Sequence, residues 1–129
     1  MSNADLFAAL TDLKAAWPVP GWSWDGRFST AASSFGAELA PQLRGVAAVL
    51  LPRHYDSATL ATAPPVLRAL VERSGGLRGS QLAFCDGGDV PRMFGLWWPW
   101  GGGATISLRL GLIDADAASV AQLRALFGV

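Results

Sequence analysis

The strongest constraint on the fold is a pair of strand-like segments near the C-terminal end, "RMFGLWWPWGGGATISLRLGL", residues 92–112 of a 129-residue chain. The second segment places an apolar residue at every even position from Ile106 to Leu112, the pattern of a strand with one buried face. The first segment, residues 92–98, is apolar at odd and even positions alike after Arg92. Gly101–Gly103 provide the backbone freedom for a tight turn. The sequence therefore predicts an antiparallel hairpin whose first strand is covered on both faces or exposes aromatic side chains.

Much of the aromatic surface of the chain lies in this hairpin, and three interpretations of it are open. Bulky aromatic residues fill the cores of small domains. Exposed apolar patches mark partner interfaces, where tryptophan is enriched among the residues that contribute most. A small-ligand platform is the third interpretation, although pockets usually add convergent polar groups. For an interface, the sequence offers Phe94, Trp97, Trp98 and Trp100 as anchors, Trp22 and Trp24 as second choices, and Arg92 and Arg109 as a polar rim.

The N-terminal part predicts a helix followed by a hairpin. Ser2 and Asp5 have the spacing of a capping box, apolar residues follow at helical spacing, and Pro18 ends the helix. "WSWDGRFS" then alternates tryptophan with polar residues before Asp25-Gly26, a dipeptide typical of a two-residue hairpin turn.

The next two segments predict a helix and a buried strand. Residues 30–43, "TAASSFGAELAPQL", favour a helix, although glycine and proline weaken the prediction. Residues 46–51, "VAAVLL", are apolar and partly β-branched and lie between Gly45 and Pro52. Such a short apolar run is consistent with a strand that is buried on both faces.

The remaining segments predict a helix, a strand and a final helix. Pro64-Pro65 suits a helix start, and Gly75-Gly76 supplies a left-handed stop. "SQLAFC", residues 80–85, alternates as a strand before a "DGGD" turn. Asp114 or Asp116 caps a last helix that ends at Gly128.

The element order is thus roughly α-ββ-α-β-α-βββ-α. This order predicts an α+β fold with one antiparallel-dominated sheet of about 4–6 strands and helices packed mainly on one face. We expect residues 1–129 to form a single domain, because no repeat or low-complexity linker interrupts the sequence.

Composition limits the environment and the partners. Ten basic and ten acidic residues balance, so no net charge favours nucleic acid, and we expect no nucleic-acid partner. Charged residues are 16% of the chain against about 25% in typical domains, and the excess apolar surface needs cover. The single Cys85 excludes an internal disulfide and favours a reducing compartment. With no signal-peptide pattern and no apolar run long enough to span a membrane, we expect a cytoplasmic protein. Nine arginines to one lysine indicate a GC-rich, bacterial source.

The candidates for chemistry are few. Cys85 and the sole histidine, His54, could form a thiolate–imidazole pair, with Asp86 among the acids that could orient the ring. No family signature surrounds Cys85, and an unpaired cysteine is more often a small buried hydrophobe. "DGGD" is explained as a turn, one histidine and one cysteine fall short of a zinc site, and "WGGGAT" lacks the lysine and the following helix of a phosphate loop. The sequence therefore predicts no metal and no cofactor.

A charge-poor, aromatic-rich chain without a cofactor motif favours a non-enzymatic interaction module. Such a module could be a small subunit, an adaptor or an immunity-type inhibitor, which binds a partner protein or a second copy of itself through the aromatic hairpin. The alternative is a small-molecule-binding domain or minor hydrolase that uses Cys85 and His54.

Overall fold

The computed structural model describes residues 2–129, which form four helices and one six-stranded antiparallel sheet. The helices are α1 (Asn3–Ala16), α2 (Ala40–Leu50), α3 (Pro65–Arg73) and α4 (Ala117–Phe127). The strands are β1 (Ser23–Asp25), β2 (Thr30–Gly36), β3 (Arg53–Tyr55), β4 (Leu82–Cys85), β5 (Met93–Trp100) and β6 (Thr105–Leu112), in the spatial order β1-β2-β6-β5-β4-β3. The predicted fold class and element order are confirmed.

The two faces of the sheet are covered differently. On the first face, α1, α2 and α4 pack over a large apolar cluster that includes Phe35, Trp97 and Leu108. On the second face, α3 packs over β4 and β5, and its Leu67 and Val71 contribute to a smaller cluster. Three of the four helices therefore lie on one face. The part of the second face over β1, β2 and β6 has no helix above it among the described residues.

The predicted ends of α1, α3 and α4 are confirmed in atomic detail. Ser2 Oγ accepts the Asp5 amide hydrogen at 3.1 Å and the Asp5 carboxylate accepts that of Ser2 at 3.3 Å, which completes the capping box. For α4 the cap is Asp116, whose carboxylate accepts the Ser119 amide hydrogen at 2.8 Å. Positive φ at Gly75 and Gly128 follows α3 and α4, as left-handed helix ends require.

The predicted helix over residues 30–43 is wrong at 30–36 and correct at 40–43, where α2 begins, and the predicted strand over 46–51 is wrong. Residues 30–36 form β2, the strand between β1 and β6, because β6 provides a continuous pairing partner from Thr105 to Leu110. The apolar run 46–51 belongs instead to α2, apart from its last residue.

Residues 46–50 differ from the prediction because burial in this segment follows the period of a helix. Leu43, Ala47 and Leu50 are the buried residues of α2, and they follow one another at helical spacing. The proline that weakened the helix prediction lies in the first turn of α2, where its missing N–H costs nothing.

Two further details also differ from the prediction. The connection between β1 and β2 contains four residues, 26–29, because Asp25 pairs with Thr30. This longer turn places Phe28 against the second face, beside Trp98. His54, for which the sequence predicted no strand, lies in the short edge strand β3.

Candidate functional site

The two faces of β5 place the hairpin aromatics in different environments. Trp97 points to the first face, is 3% exposed, and lies 5.4 Å from Phe35 and 5.8 Å from Phe84 between ring centroids. Phe94 points to the second face, where it is buried in the cluster under α3. Both are core residues: the first-face cluster buries Trp97, and α3 provides the second-face cover that buries Phe94.

The earlier tryptophans close the margin of the first-face core. Trp22 lies 4.6 Å from Phe127 and 5.6 Å from Trp17 between ring centroids. The Arg124 guanidinium lies 5.4 Å from the ring centroid of Trp24. Both indoles are partly buried against this core. They are therefore on the opposite side of the sheet from Trp98.

Trp98 belongs to a stack of arginine and aromatic side chains on the open part of the second face. Phe28 meets it edge-on at 5.5 Å, and the Arg109 guanidinium lies 4.6 Å from its ring centroid. Arg27 lies 4.3 Å from the ring centroid of Phe28. These side chains cover this part of the sheet, over which no helix of the described residues lies. Among the described residues, no group accepts a hydrogen bond from the buried Trp98 Nε1.

Arg109 is held in the stack by Asp25. Its Nε donates to Asp25 Oδ2 at 2.9 Å and its terminal nitrogen donates to Ser107 Oγ at 2.6 Å. Arg27 adds a longer ion pair to Asp25 at 3.9 Å. Burial raises the pKa of Asp25, but the hydrogen bonds from Arg109 and the Arg27 amide and the two positive charges outweigh burial, so its pKa lies below the ordinary value.

Trp100 is the aromatic anchor that the structure leaves exposed. It ends β5 with 56% of its side chain accessible, and no ring contact to it occurs within residues 2–129. Positive φ at Gly101, Gly102 and Gly103 forms the turn that follows. Because these residues connect two well-paired strands, the indole projects from a fixed position at the hairpin end.

Arg92 and Arg109 do not form a shared rim around Trp100. Arg92 precedes β5, at the end opposite Trp100, where its amide donates to Asp86 Oδ1 at 2.8 Å and its guanidinium donates to the Asn3 side chain. Arg109 is the nearer of the two, on β6 beside Trp98.

The structure does not bring Cys85 and His54 together as a catalytic pair. In the β3–β4 register Cys85 lies opposite Arg53, while His54 lies opposite Phe84, so their side chains point to opposite faces of the sheet. Cys85 is fully buried, and burial raises its thiol pKa to about 11 against the opposing charge of Arg53. Asp86 accepts the amide hydrogens of Arg92 and Met93 at 2.8 and 2.9 Å, which gives it a structural role in the turn.

Two surface depressions lie on opposite sides of the sheet. One is a groove of about 530 Å³ between α1 and α2, lined by apolar side chains that include Leu13, Val46 and the 88% exposed Val49. The other lies on the second face, where a cavity of about 300 Å³ and one of about 660 Å³ share Arg27, Phe28, Ser74 and Gly75. We call this pair of adjoining cavities the arginine cleft.

Sequence reasoning missed the role of Phe28 because a two-residue turn would have kept it in a strand. A longer connection was visible only in the polar residues around it, which by themselves fix no turn length. Within residues 2–129, the structure contains no group of three or more potential metal ligands and no helix that is long and apolar enough to cross a membrane.

Comparison of the chain with protein-family models, with curated proteins and with solved structures gives no match. Function is therefore inferred from the residues themselves.

Proposed function

We propose that this chain is a non-enzymatic protein-interaction module that binds its partner through the end of the β5–β6 hairpin. The observation that carries the proposal is the exposure of Trp100 on a backbone fixed by strand pairing. An indole held in position loses little conformational entropy when a partner covers it, and tryptophan is the residue most enriched at interface hot spots.

The neighbouring residues support this location. Trp98 is partly exposed beside Trp100, and the Arg109–Asp25 ion pair provides charged groups at the margin of the apolar surface. An apolar centre with a polar margin is the usual anatomy of a protein interface. Phe94 and Trp97 hold this surface rigid from within rather than contacting the partner.

The proposed module acts as a small subunit, an adaptor or an immunity-type inhibitor. A buried, unpaired Cys85 supports a reducing, cytoplasmic location, and the excess of arginine over lysine supports a bacterial source. The separation of Cys85 from His54 gives the hydrolase alternative no geometric support.

The test is affinity purification from the source organism with wild-type protein, a Trp100→Ala variant and a matched Val90→Ala control. Val90 is 70% exposed and lies in the β4–β5 connection, at the other end of β5. We expect a stoichiometric partner with wild type and Val90→Ala, and about a 30-fold weaker complex with Trp100→Ala, the equivalent of about 2 kcal/mol.

Light scattering as a function of concentration separates a second copy of the chain from a different protein. A concentration-dependent dimer that Trp100→Ala abolishes would identify the partner as the chain itself. A monomeric wild type that purifies alone, or a complex insensitive to Trp100→Ala, would contradict the proposal.

A further inference from the structure

We propose that the arginine cleft on the second face binds a small organic anion, a carboxylate or phosphate group carried on a flat apolar body. The cleft lies between the β1–β2 turn and the C-terminal end of α3. Trp100 does not line it, although Trp98, which borders the proposed interaction surface, forms part of its wall; the proposal rests on the residues of the cleft and does not require the interaction function.

The charge around the cleft favours an anion. Arg27, Arg73 and Arg78 line its two cavities, and Arg109 adjoins it through Trp98. Asp25 is already shared between Arg109 and Arg27. Among the described residues, no carboxylate forms an ion pair with Arg73 or Arg78. In a chain with no net charge, this is a local positive excess in a concave site, where field lines converge.

The smaller cavity provides both the hydrogen-bond donors for the anionic group and the apolar wall for the flat body. Arg27 and Arg78 line it with Gln81, and none of the acidic residues that the structure describes lines it. The side-chain Oε1 of Gln81 accepts the Arg78 amide hydrogen at 2.9 Å, so the side-chain Nε2 of Gln81 remains as a donor. Phe28 and Trp98 form the apolar wall. Guanidinium groups bind carboxylate and phosphate through paired hydrogen bonds, and the aromatic wall suits a flat body.

The larger cavity extends the site and carries one acid. Asp114 lines this cavity with Ala115 and Val120, and it does not line the cavity that contains Arg78. This position leaves the anionic group of the ligand at the Arg27–Arg78 end and its apolar body toward Leu70 and Phe94. The volumes of about 300 and 660 Å³ fall within the usual range of small-molecule sites.

Residues with a strained backbone and buried polar atoms without a partner lie in or beside this cleft. Ser29 and Asp114 are the non-glycine residues with positive φ among residues 2–129, and both line the larger cavity. Thr30 Oγ1 and Trp98 Nε1 are the buried side-chain polar atoms without a hydrogen-bond partner in the same range. Thr30 follows Ser29 directly, and Trp98 lines the smaller cavity. Strained backbone and unsatisfied polar groups concentrate at functional sites, where they are retained for binding.

The test is titration of ¹⁵N-labelled full-length protein with four probes followed by nuclear magnetic resonance. The probes are naphthalene-2-carboxylate, 2-naphthyl phosphate, inorganic phosphate and the uncharged 2-naphthalenemethanol. The indole N–H signal of Trp98, assigned with Trp98→Phe, and the amide signals of Gly75 and Gly76 report on the cleft. We expect these signals to shift with a dissociation constant of about 1 mM or lower for at least one naphthyl anion, and at least about 10-fold weaker binding of the alcohol.

Arginine variants locate the binding. Arg78→Gln is expected to weaken the naphthyl anion about 10-fold, the loss of one charge-assisted contact. The matched control is Arg44→Gln, which removes the same charge from the exposed side of α2, on the first face. Preference for the phosphate or for the carboxylate probe assigns the head group, and either preference upholds the proposal. Binding of the alcohol as tight as the anions, equal weakening by Arg44→Gln, or no shift at 5 mM would overturn it.

Discussion

The two faces of the sheet bury their apolar side chains under different kinds of cover. The first face is sealed by three helices over a continuous apolar cluster. On the second face α3 is the one α-helix among the described residues, and side chains cover the rest of this face, chiefly Arg109 and Phe28 over and beside Trp98. Helices satisfy their own backbone and leave a dry interior, whereas single side chains leave gaps and partly buried charges. The buried unsatisfied polar atoms and the non-glycine residues with positive φ that the described chain contains all lie on or beside the second face.

The largest expected effect is on the sealed face. Trp97→Ala removes a buried indole packed between Phe35 and Phe84, and three helices prevent the cavity from collapsing. We expect a loss of about 3–5 kcal/mol in the free energy of unfolding. Chemical denaturation measures it.

The matched control for this change is Trp100→Ala on the same strand. Its indole is exposed, so we expect a change within about 0.5 kcal/mol. Equal losses for the two variants would show that the hairpin end is packed and would remove the basis of the interaction proposal.

Close packing is also present on the second face, and Gly111→Ala tests it. A Cβ at Gly111 would lie 2.6 Å from the Phe94 ring and 2.9 Å from Thr30 Cγ2. Because the Phe94 ring is held under α3, we expect a loss of about 1–3 kcal/mol. Gly45→Ala is the control, since no described atom beyond its chain neighbours and the adjacent helix backbone lies within 4 Å of a Cβ there. In the helix α2 it should stabilise by about 0.5–1 kcal/mol. Thermal unfolding of both variants checks the two signs, and a neutral Gly111→Ala would show that this part of the face is loosely packed.

The sequence predicted best those elements whose local signals agree with the sheet. Alternation identified β6, and a capping box identified α1. It failed at β2, where alanine and serine carry no strand preference and pairing with β1 and β6 decides the structure. It failed again at 46–51, where a short apolar run fits a buried strand and a helix equally well.

The candidate site was predictable only in part. The apolar character of both faces of β5 was visible in the sequence, but the cover over Phe94 depends on α3, which is distant along the chain. The arginine cleft brings together residues from the β1–β2 turn, the end of α3 and β5. A sequence gives no spacing rule for such a set, because the distances are fixed by tertiary packing.

A smaller effect is expected from the ion pair that closes the open part of the second face. Asp25→Asn removes the partner of Arg109, and we expect a loss of roughly 1 kcal/mol at pH 7, as for a partly exposed charged hydrogen bond. The pKa of Asp25 is lowered on folding, so its contribution is full above the unfolded pKa and is lost as pH falls through the folded pKa.

The difference in stability between wild type and Asp25→Asn should therefore shrink below about pH 4. Denaturation at a series of pH values measures this difference. The contributions of the other carboxylates are the same in both proteins and cancel. Repeating it in an Arg109→Gln background should reduce the Asp25→Asn effect. An undiminished difference at pH 2, or an undiminished effect without Arg109, would contradict the role assigned to the pair.

Cys85, buried under α3, reports on how firmly this part of the second face is held, without any substitution. With its pKa raised to about 11 from 9.0, the thiol carries about 100-fold less thiolate at neutral pH, and burial blocks access to what remains. Iodoacetamide at pH 7.5 should therefore modify the native protein far more slowly than the protein unfolded in guanidinium.

The dependence of this rate on low denaturant separates two kinds of opening. A rate that follows global unfolding means that α3 is as firmly held as the helices of the first face. A rate that rises earlier means that α3 and β4 open as a separate unit, which would make the second face the less stable layer throughout. Rapid modification of the fully native protein would contradict the burial of Cys85 and restore the thiol as a candidate for chemistry.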